Sequence, residues 1–217
     1  ALDAVLAHCR PRVVLCEKPL AETPASARAM LAACEAAGVA LYVNYFRRAL
    51  PAVLEVRARL RDGRIAGDGK AMGWYTKGLL HNGSHMLDLL GFWLGEFESA
   101  QPLGPARPGP VGADLDCQLR FAHGQAALFA AWHESYAHFG LELLSRSGRL
   151  QLDGSGAMRW QPVVSDPAWP GYHSLSPEGE QLETGLERYQ WHVADRLARQ
   201  LAGEPDSVLC TGAQALR

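Results

Sequence analysis

Apolar positions along this chain fall into two textures. Up to about residue 94, short apolar runs alternate with segments of helical spacing. Beyond it, alternating apolar and polar residues recur in runs separated by glycine turns. Residues 1–8, with Leu2, Val5 and Leu6, read as the end of an amphipathic helix. Val13, Val14 and Leu15 form a buried strand. Thr23-Pro24 opens a helix, with threonine as N-cap and proline at the first helical position. Ala27, Met30, Leu31 and Cys34 carry that helix to residue 37, and Gly38 closes it. Residues 39–45, VALYVNY, are a second strand. A strand, a helix of this length and a strand predict a βαβ unit with a parallel pair.

Helices follow over 51–61 and 84–94, with a strand over 70–76 between them. Strands are then predicted over 111–121, 125–133, 139–145, 149–152 and 158–164, which implies a mostly antiparallel sheet. Residues 102–110 and 165–184 are rich in proline and glycine and read as loops. A closing helix covers 186–201 with Trp191, Val193, Ala194, Leu197 and Leu201, and another begins at 213. The fold class is therefore α/β: a small parallel sheet over 1–46, then an α+β domain over 47–217 with a large, open, mostly antiparallel sheet.

Of the 217 residues, 48% are hydrophobic and 20% charged, an ordinary globular composition. The formal net charge of −2 gives no basic field for nucleic acid or an anionic membrane. No apolar run is long enough to span a bilayer. The five cysteines are scattered singly, which fits a reducing, cytoplasmic setting and gives neither a disulfide frame nor a structural zinc site. The chain opens inside a helical pattern without methionine, cap or leader, so an upstream extension is expected.

Two stretches carry candidate chemistry. In VVLCEKPL, Glu17 and Lys18 stand where a buried strand leaves its sheet, and Pro19 stops the strand from continuing. Asn44, Arg47 and Arg48 fall at the end of the second strand, on the same rim. In open α/β sheets that rim binds ligands; an exposed Glu-Lys pair in a loop is the plainer reading. In KGLLHNGSHMLDLLGFWL, His85 and Asp88 share a helix face, and His81 joins them if the helix reaches back past Gly83. Leu87, Leu90 and Leu94 on the other side read as core. Imidazole titrates near neutral pH, and a carboxylate one turn away sets its tautomer. A half-exposed helix with locally bonded His85 is the alternative. HxxxHxxD also offers two imidazoles and a carboxylate to zinc, but the glutamate of a metalloprotease helix is missing. No metal is expected.

These pieces together resemble the Gfo/Idh/MocA family of NAD(P)-dependent oxidoreductases over nearly the whole chain. The matching segments are EKPL (17–20), NYFRRALP (44–51), DGRIAG (62–67), GSHMLDLLGFWLG (83–95) and an ending with Tyr189, Gln190 and a helix before Gly203-Glu204-Pro205. The resemblance implies a Rossmann domain followed by a sheet domain. It also implies hydride transfer between NAD or NADP and a hydroxyl carbon of a sugar, sugar nucleotide or cyclitol. By it, Lys18, His85 and His81 are candidate acid–base groups, and Glu17, Lys18, Pro19, Asn44 and Arg48 line the cofactor. Trp74, Tyr75, Lys77, Asn82 and Asp88 are candidate substrate contacts, with His133, Tyr172 and His173 behind them. The lysine and the imidazole are expected to serve one pocket.

Two departures stand out. His81 occupies a position where many members carry aspartate. No GxGxxG occurs in the sequence, so the family's opening strands and pyrophosphate turn are expected upstream of residue 1. The resemblance further implies a homo-oligomer through the open sheet, whereas a non-catalytic dimerisation or binding module is the competing reading. Both strands of the small sheet are expected to expose apolar surface.

Overall fold

The computed structural model describes residues 2–109, 112–132, 135–204 and 208–217. His133 and Pro205, named above, and the first residues of the spans 1–8 and 111–121 lie outside the described residues. The chain divides into two units, residues up to Ala49 with Glu187–Arg217, and Leu50–Leu186.

The first unit opens with α1 (Leu2–Cys9), β1 (Val13–Cys16), α2 (Pro24–Ala36) and β2 (Ala40–Val43). The Thr23 hydroxyl accepts from Ser26 N, capping α2 as its sequence predicts. β1 and β2 pair in parallel, Val13 against Ala40 through Cys16 against Val43. β2 is shorter than expected: Asn44 N makes the last ladder bond, to Cys16 O, and Tyr45 N then turns back to Val43 O at 2.8 Å. A 3₁₀ turn follows over Phe46–Ala49.

The second unit contains α3 (Pro51–Arg61), β3 (Gly69–Tyr75), α4 (Ser84–Leu94), β4 (Phe97–Pro102), β5 (Cys117–Phe121), β6 (Gly124–Ala130), β7 (Phe139–Ser145), β8 (Gly148–Leu152), β9 (Met158–Ser165), β10 (His173–Leu175) and β11 (Glu180–Leu182). Among the described residues, nine strands form one sheet in the order β10-β9-β8-β7-β3-β6-β5-β4, with β11 also on β9. Among the described strands, β3 and β6 make its single parallel pair, Tyr75 opposite Ala130. β3 alternates strictly between buried and exposed residues, so the sheet has a covered face and an open one.

α4 covers the first face. A Cβ at Gly73 would stand 2.5 Å from Met86 Sδ, and one at Gly69 would stand 2.6 Å from Leu94 Cδ2. These glycines form the groove in which α4 lies, and they set its direction antiparallel to β3. Trp93 Nε1 donates to Val53 O at 3.1 Å, and the Arg57 guanidinium lies 4.0 Å over the Phe92 ring, joining α4 to α3. Arg59 of α3 reaches Glu55 at 2.8 Å and holds Glu180 of β11 through two hydrogen bonds of 2.6 and 2.7 Å.

The chain then returns to the first unit. α5 (Tyr189–Leu201), β12 (Cys210–Thr211) and α6 (Gly212–Ala215) belong there. The expected division after residue 46 therefore does not describe the C-terminal segment. β12 pairs antiparallel with β2, and Val193 and Leu209 pack with Tyr42 and Ala49 on one side of the small sheet. Leu20, Ala27, Cys34, Val39, Leu41 and Val43 fill the other side. β2 is thus central and mostly buried, contrary to its expected exposure. β1 stays half-exposed along its length, at the sheet's edge.

Candidate active site

Each unit holds one cluster of the residues singled out by sequence. In the first unit, β1 and β2 end in register, so the residues after them emerge side by side. Asn44 Nδ2 donates to Glu17 Oε1 at 2.8 Å. Asn44 is buried, and its Oδ1 has no hydrogen-bond partner. A buried amide oxygen left unmatched costs free energy, so this atom is the natural acceptor for a ligand at the strand ends. Glu17 and Pro19 are exposed and Lys18 is half-buried; the Lys18–Pro19 peptide is cis.

Arg48 does not present a ligand surface. It is 8% exposed, and its Nη1 donates to Gln214 Oε1 at 2.9 Å. Gln214 also completes the capping box of α6 with Thr211. Arg48 therefore ties the turn after β2 to the C-terminal helix, a structural role that replaces its expected place at the cofactor. Beside it, burial lowers the Arg47 guanidinium to about 10, and that group lies 4.7 Å over the Phe46 ring.

In the second unit the helix does reach back past Gly83, but as a π turn over Leu79–Gly83. Asn82 N and Gly83 N both donate to Gly78 O, at 3.1 and 3.2 Å. Asp114 Oδ1 accepts from Gly78 N at 3.1 Å, which fixes the start of the turn. Such turns inside helices recur at functional sites. His81 sits on the π turn and is exposed, whereas His85 on α4 is 5% exposed. Asn82, Leu87 and Asp88 are half-buried, so Leu87 is not the core residue expected. Lys77 is exposed and takes φ 67°, a left-handed conformation uncommon for a side-chain-bearing residue.

Tyr75 is a correction. It is fully buried, its hydroxyl donates to Leu115 O at 2.8 Å and accepts from Leu115 N at 3.0 Å, and burial pushes its pKa up to about 12. It holds the backbone of Leu115 and is not available to substrate. Trp74 points to the open face of the sheet, away from α4, stacked on Phe129 at 5.0 Å. Tyr172 and His173 lie at or before β10, beyond β9, β8 and β7 from β3. Among the described residues, no group of three or more His, Cys, Asp or Glu side chains is placed to hold a metal ion. Among them, too, no helix is long and apolar enough to cross a membrane.

No family model matches the chain. D-apiose dehydrogenase from Paraburkholderia graminis is 55% identical over 51 residues, 24% of this chain and 14% of that relative's length. An NAD binding oxidoreductase from Klebsiella pneumoniae superposes with a TM-score of 0.75 at 18% identity, over 99% of this chain and 70% of its own. The aldose-aldose oxidoreductase from Caulobacter crescentus, complexed with glycerol, gives 0.70 at 18% identity, over 99% and 76%. The chain has the fold of these oxidoreductases. That fold has its parallel strand ends at Glu17 and Asn44 and its covered sheet face under α4.

Proposed function

We propose that this chain is part of an NAD(P)-dependent oxidoreductase of the Gfo/Idh/MocA type. It acts on a hydroxyl-bearing carbon of a sugar, sugar nucleotide or cyclitol. The observation that carries this reading is the strand-end cluster of Glu17, Lys18 and Asn44, with the unmatched Asn44 Oδ1. The rim of a parallel sheet is where such folds take ligands. The motif order in the sequence and the likeness to oxidoreductases support it.

The cluster fits the nicotinamide-ribose end of the cofactor. Asn44 Oδ1 accepts from a ribose hydroxyl or the carboxamide, Glu17 offers a second acceptor, and Pro19 lines the rim. No GxGxxG lies in these 217 residues, so they address that end and not the pyrophosphate. When bound, the nicotinamide supplies hydride acceptance or donation. The protein's own task is the proton, because an alcohol that loses hydride also loses a proton. Lys18 stabilises the developing alkoxide with its ammonium, and His85 takes or returns the hydroxyl proton. His81, Lys77, Asn82 and Asp88 remain the substrate contacts.

The same reading gives a second copy of the chain as partner, through the open face of the nine-stranded sheet. Met72, Trp74 and Leu144 are exposed on that face, interleaved with Lys70 and Glu142. The test of function is NAD+ and NADP+ titration of the full-length protein with polyol substrates. Lys18→Ala and His85→Ala are each expected to lower kcat roughly a hundredfold or more, the histidine variant with cofactor affinity nearly kept. Asn44→Ala is expected to weaken cofactor binding. Unchanged turnover in both the lysine and histidine variants overturns the assignment. Absence of any cofactor binding favours the non-catalytic module.

A further inference from the structure

The π turn before α4 is wound on the peptide of Gly78. The Gly78 carbonyl accepts from Asn82 N at 3.1 Å, four residues on, and from Gly83 N at 3.2 Å, five residues on. The first bond has the spacing of an α-helix and the second that of a π turn, so one acceptor serves two registers. At its other side, Gly78 offers an N–H that the helix itself leaves without a partner. That N–H donates to Asp114 Oδ1 at 3.1 Å, and Leu79 N beside it donates to Ala113 O at 2.9 Å. A carboxylate is a stronger acceptor than a neutral oxygen, and its charge suits the start of a helix. At the far end of the turn, the buried Ser84 hydroxyl donates toward Leu80 O at 2.8 Å and His81 O at 3.0 Å.

The chain enters this turn through two left-handed residues, Lys77 at φ 67° and Gly78 at φ 80°. Glycine adopts that conformation freely, whereas lysine holds it only where the surroundings fix it. The segment from Ala113 to Asp116 does the fixing, and it is itself anchored. Leu115 is bonded through both N and O to the Tyr75 hydroxyl at the end of β3. Asp116 accepts two hydrogen bonds of 3.0 Å from Arg107 and one of 2.9 Å from Ala130 N at the end of β6. Asp114 lies between these two, and its backbone exchanges two hydrogen bonds of 2.8 Å with that of Arg107. The Asp114 side chain thus reaches the π turn from a backbone tied to both strands.

We propose that Asp114 is a positioning residue of the candidate site. By holding the Gly78 N–H it selects the π register, and the register decides where His81 and Asn82 stand relative to His85. A π turn holds one residue more than an α turn. Without the Asp114 bond, the Gly78 carbonyl settles on its α-helical partner, Asn82 N. His81 and Asn82 then rotate about the helix axis, while His85, buried on α4, keeps its place. Asp114 acts through the backbone and not on substrate. This deepens the preceding reading and rests on it for the effect on turnover.

The test compares Asp114→Ala and Asp114→Asn in the full-length protein, with Arg107→Ala as the measure of a purely structural loss. Arg107→Ala frees Asp116 and leaves the Asp114–Gly78 bond in place. The readouts are hydrogen exchange at the Gly78 amide, the ring-nitrogen NMR signals of His81 and His85, and turnover with NAD(P)+ and whichever polyol the unaltered protein oxidises. Asp114→Ala is expected to speed Gly78 exchange roughly tenfold or more and to shift the His81 signals further than those of His85. It is expected to lower kcat/KM for the polyol roughly tenfold to a hundredfold, because misplaced contacts spoil the reacting geometry. Its affinity for NAD(P)+ stays within about twofold, because the cofactor cluster does not include the turn. Asp114→Asn keeps an acceptor oxygen and is expected to restore exchange, signals and turnover. Arg107→Ala is expected to lower Tm with kcat/KM kept. Unmoved His81 signals in Asp114→Ala overturn the inference. So does an asparagine variant as impaired as the alanine one, or an equal loss of kcat/KM in Arg107→Ala at equal Tm. Absence of NAD(P)-coupled turnover in the unaltered protein removes the hydride-transfer reading, and exchange and ring signals then decide the role of Asp114 by themselves.

Discussion

Trp74 and Tyr75 are adjacent in sequence and stand on opposite faces of the nine-stranded sheet. Tyr75 is fully buried beneath α4 with its hydroxyl on Leu115, while Trp74 is 43% exposed on the other face. The pleat of one strand thus separates a structural anchor from a surface aromatic.

Tyr75→Phe is expected to destabilise the protein by about 1–3 kcal/mol, since Leu115 N–H and C=O lose their buried partner. The hydroxyl's raised pKa has a pH signature. Its contribution is fully present below the ordinary tyrosine value near 10 and is lost as pH rises through about 12. Urea unfolding at neutral pH and at about pH 11 measures both, and in Tyr75→Phe the alkaline loss shrinks. An unfolding midpoint equal to that of the unaltered protein would return Tyr75 to the substrate set.

The clamp of Arg59 on Glu55 and Glu180 predicts an acid signature of opposite sign. Hydrogen bonds from Arg59 hold both carboxyls below the usual carboxylate range. Their contribution is present above the ordinary carboxylate value near 4 and is lost as pH falls through the lower folded values. Both carboxylates are about half exposed, so solvent screening keeps the effect small, about 1 kcal/mol. Glu180→Gln is expected to lower Tm slightly at neutral pH and to flatten its fall below pH 4. An acid limb as steep as before would show that the clamp does not bear on stability.

If the open face joins two copies, charge placed at its centre separates them. Leu144 lies opposite Lys70, and Met72 opposite Glu142, in the β3–β7 ladder. Met72→Glu sets a second carboxylate directly across from Glu142, where like charges repel. Light scattering is expected to show the mass per particle halve in that variant with secondary structure kept. A monomer in the unaltered protein removes the open face as an interface.

Local signals made much of this legible. α3 and α4 match their predicted spans end to end, because Pro51 and Gly95 mark boundaries that residue chemistry dictates. The end of β1 before Glu17 was readable for the same reason, whereas β2 stops two residues short of its expected end. What escaped depends on distance along the chain or lacks a period. β4, FESAQP, is exposed throughout and shows no alternation. β12 has two residues and reaches β2 from the far end of the sequence. The π turn bonds five residues back, a spacing that apolar periodicity does not report. Arg48 looked like a ligand group because its partner, Gln214, is 166 residues away.

Two glycines near α4 carry predictions of opposite sign. Gly73 lies under the helix, and a Cβ there would stand 2.5 Å from Met86 Sδ, 2.8 Å from Leu128 Cδ2 and 3.2 Å from Leu141 Cδ1. All three side chains are buried, so none can withdraw into solvent. Gly73→Ala is expected to cost about 1–3 kcal/mol by overpacking. It also displaces Met86, the neighbour of His85, so kcat is expected to fall further than KM changes. Gly91 lies within α4, and a Cβ there would meet only Phe121 Cε1, at 3.9 Å, an ordinary contact. Gly91→Ala is expected to stabilise by about 0.5–1 kcal/mol, since alanine restricts the unfolded chain and suits a helix better. Denaturant unfolding of the two variants side by side decides the matter. Loss of stability in both would mean that α4 is packed as tightly at Gly91 as at its centre, and gain in both would mean that the helix does not press on β3.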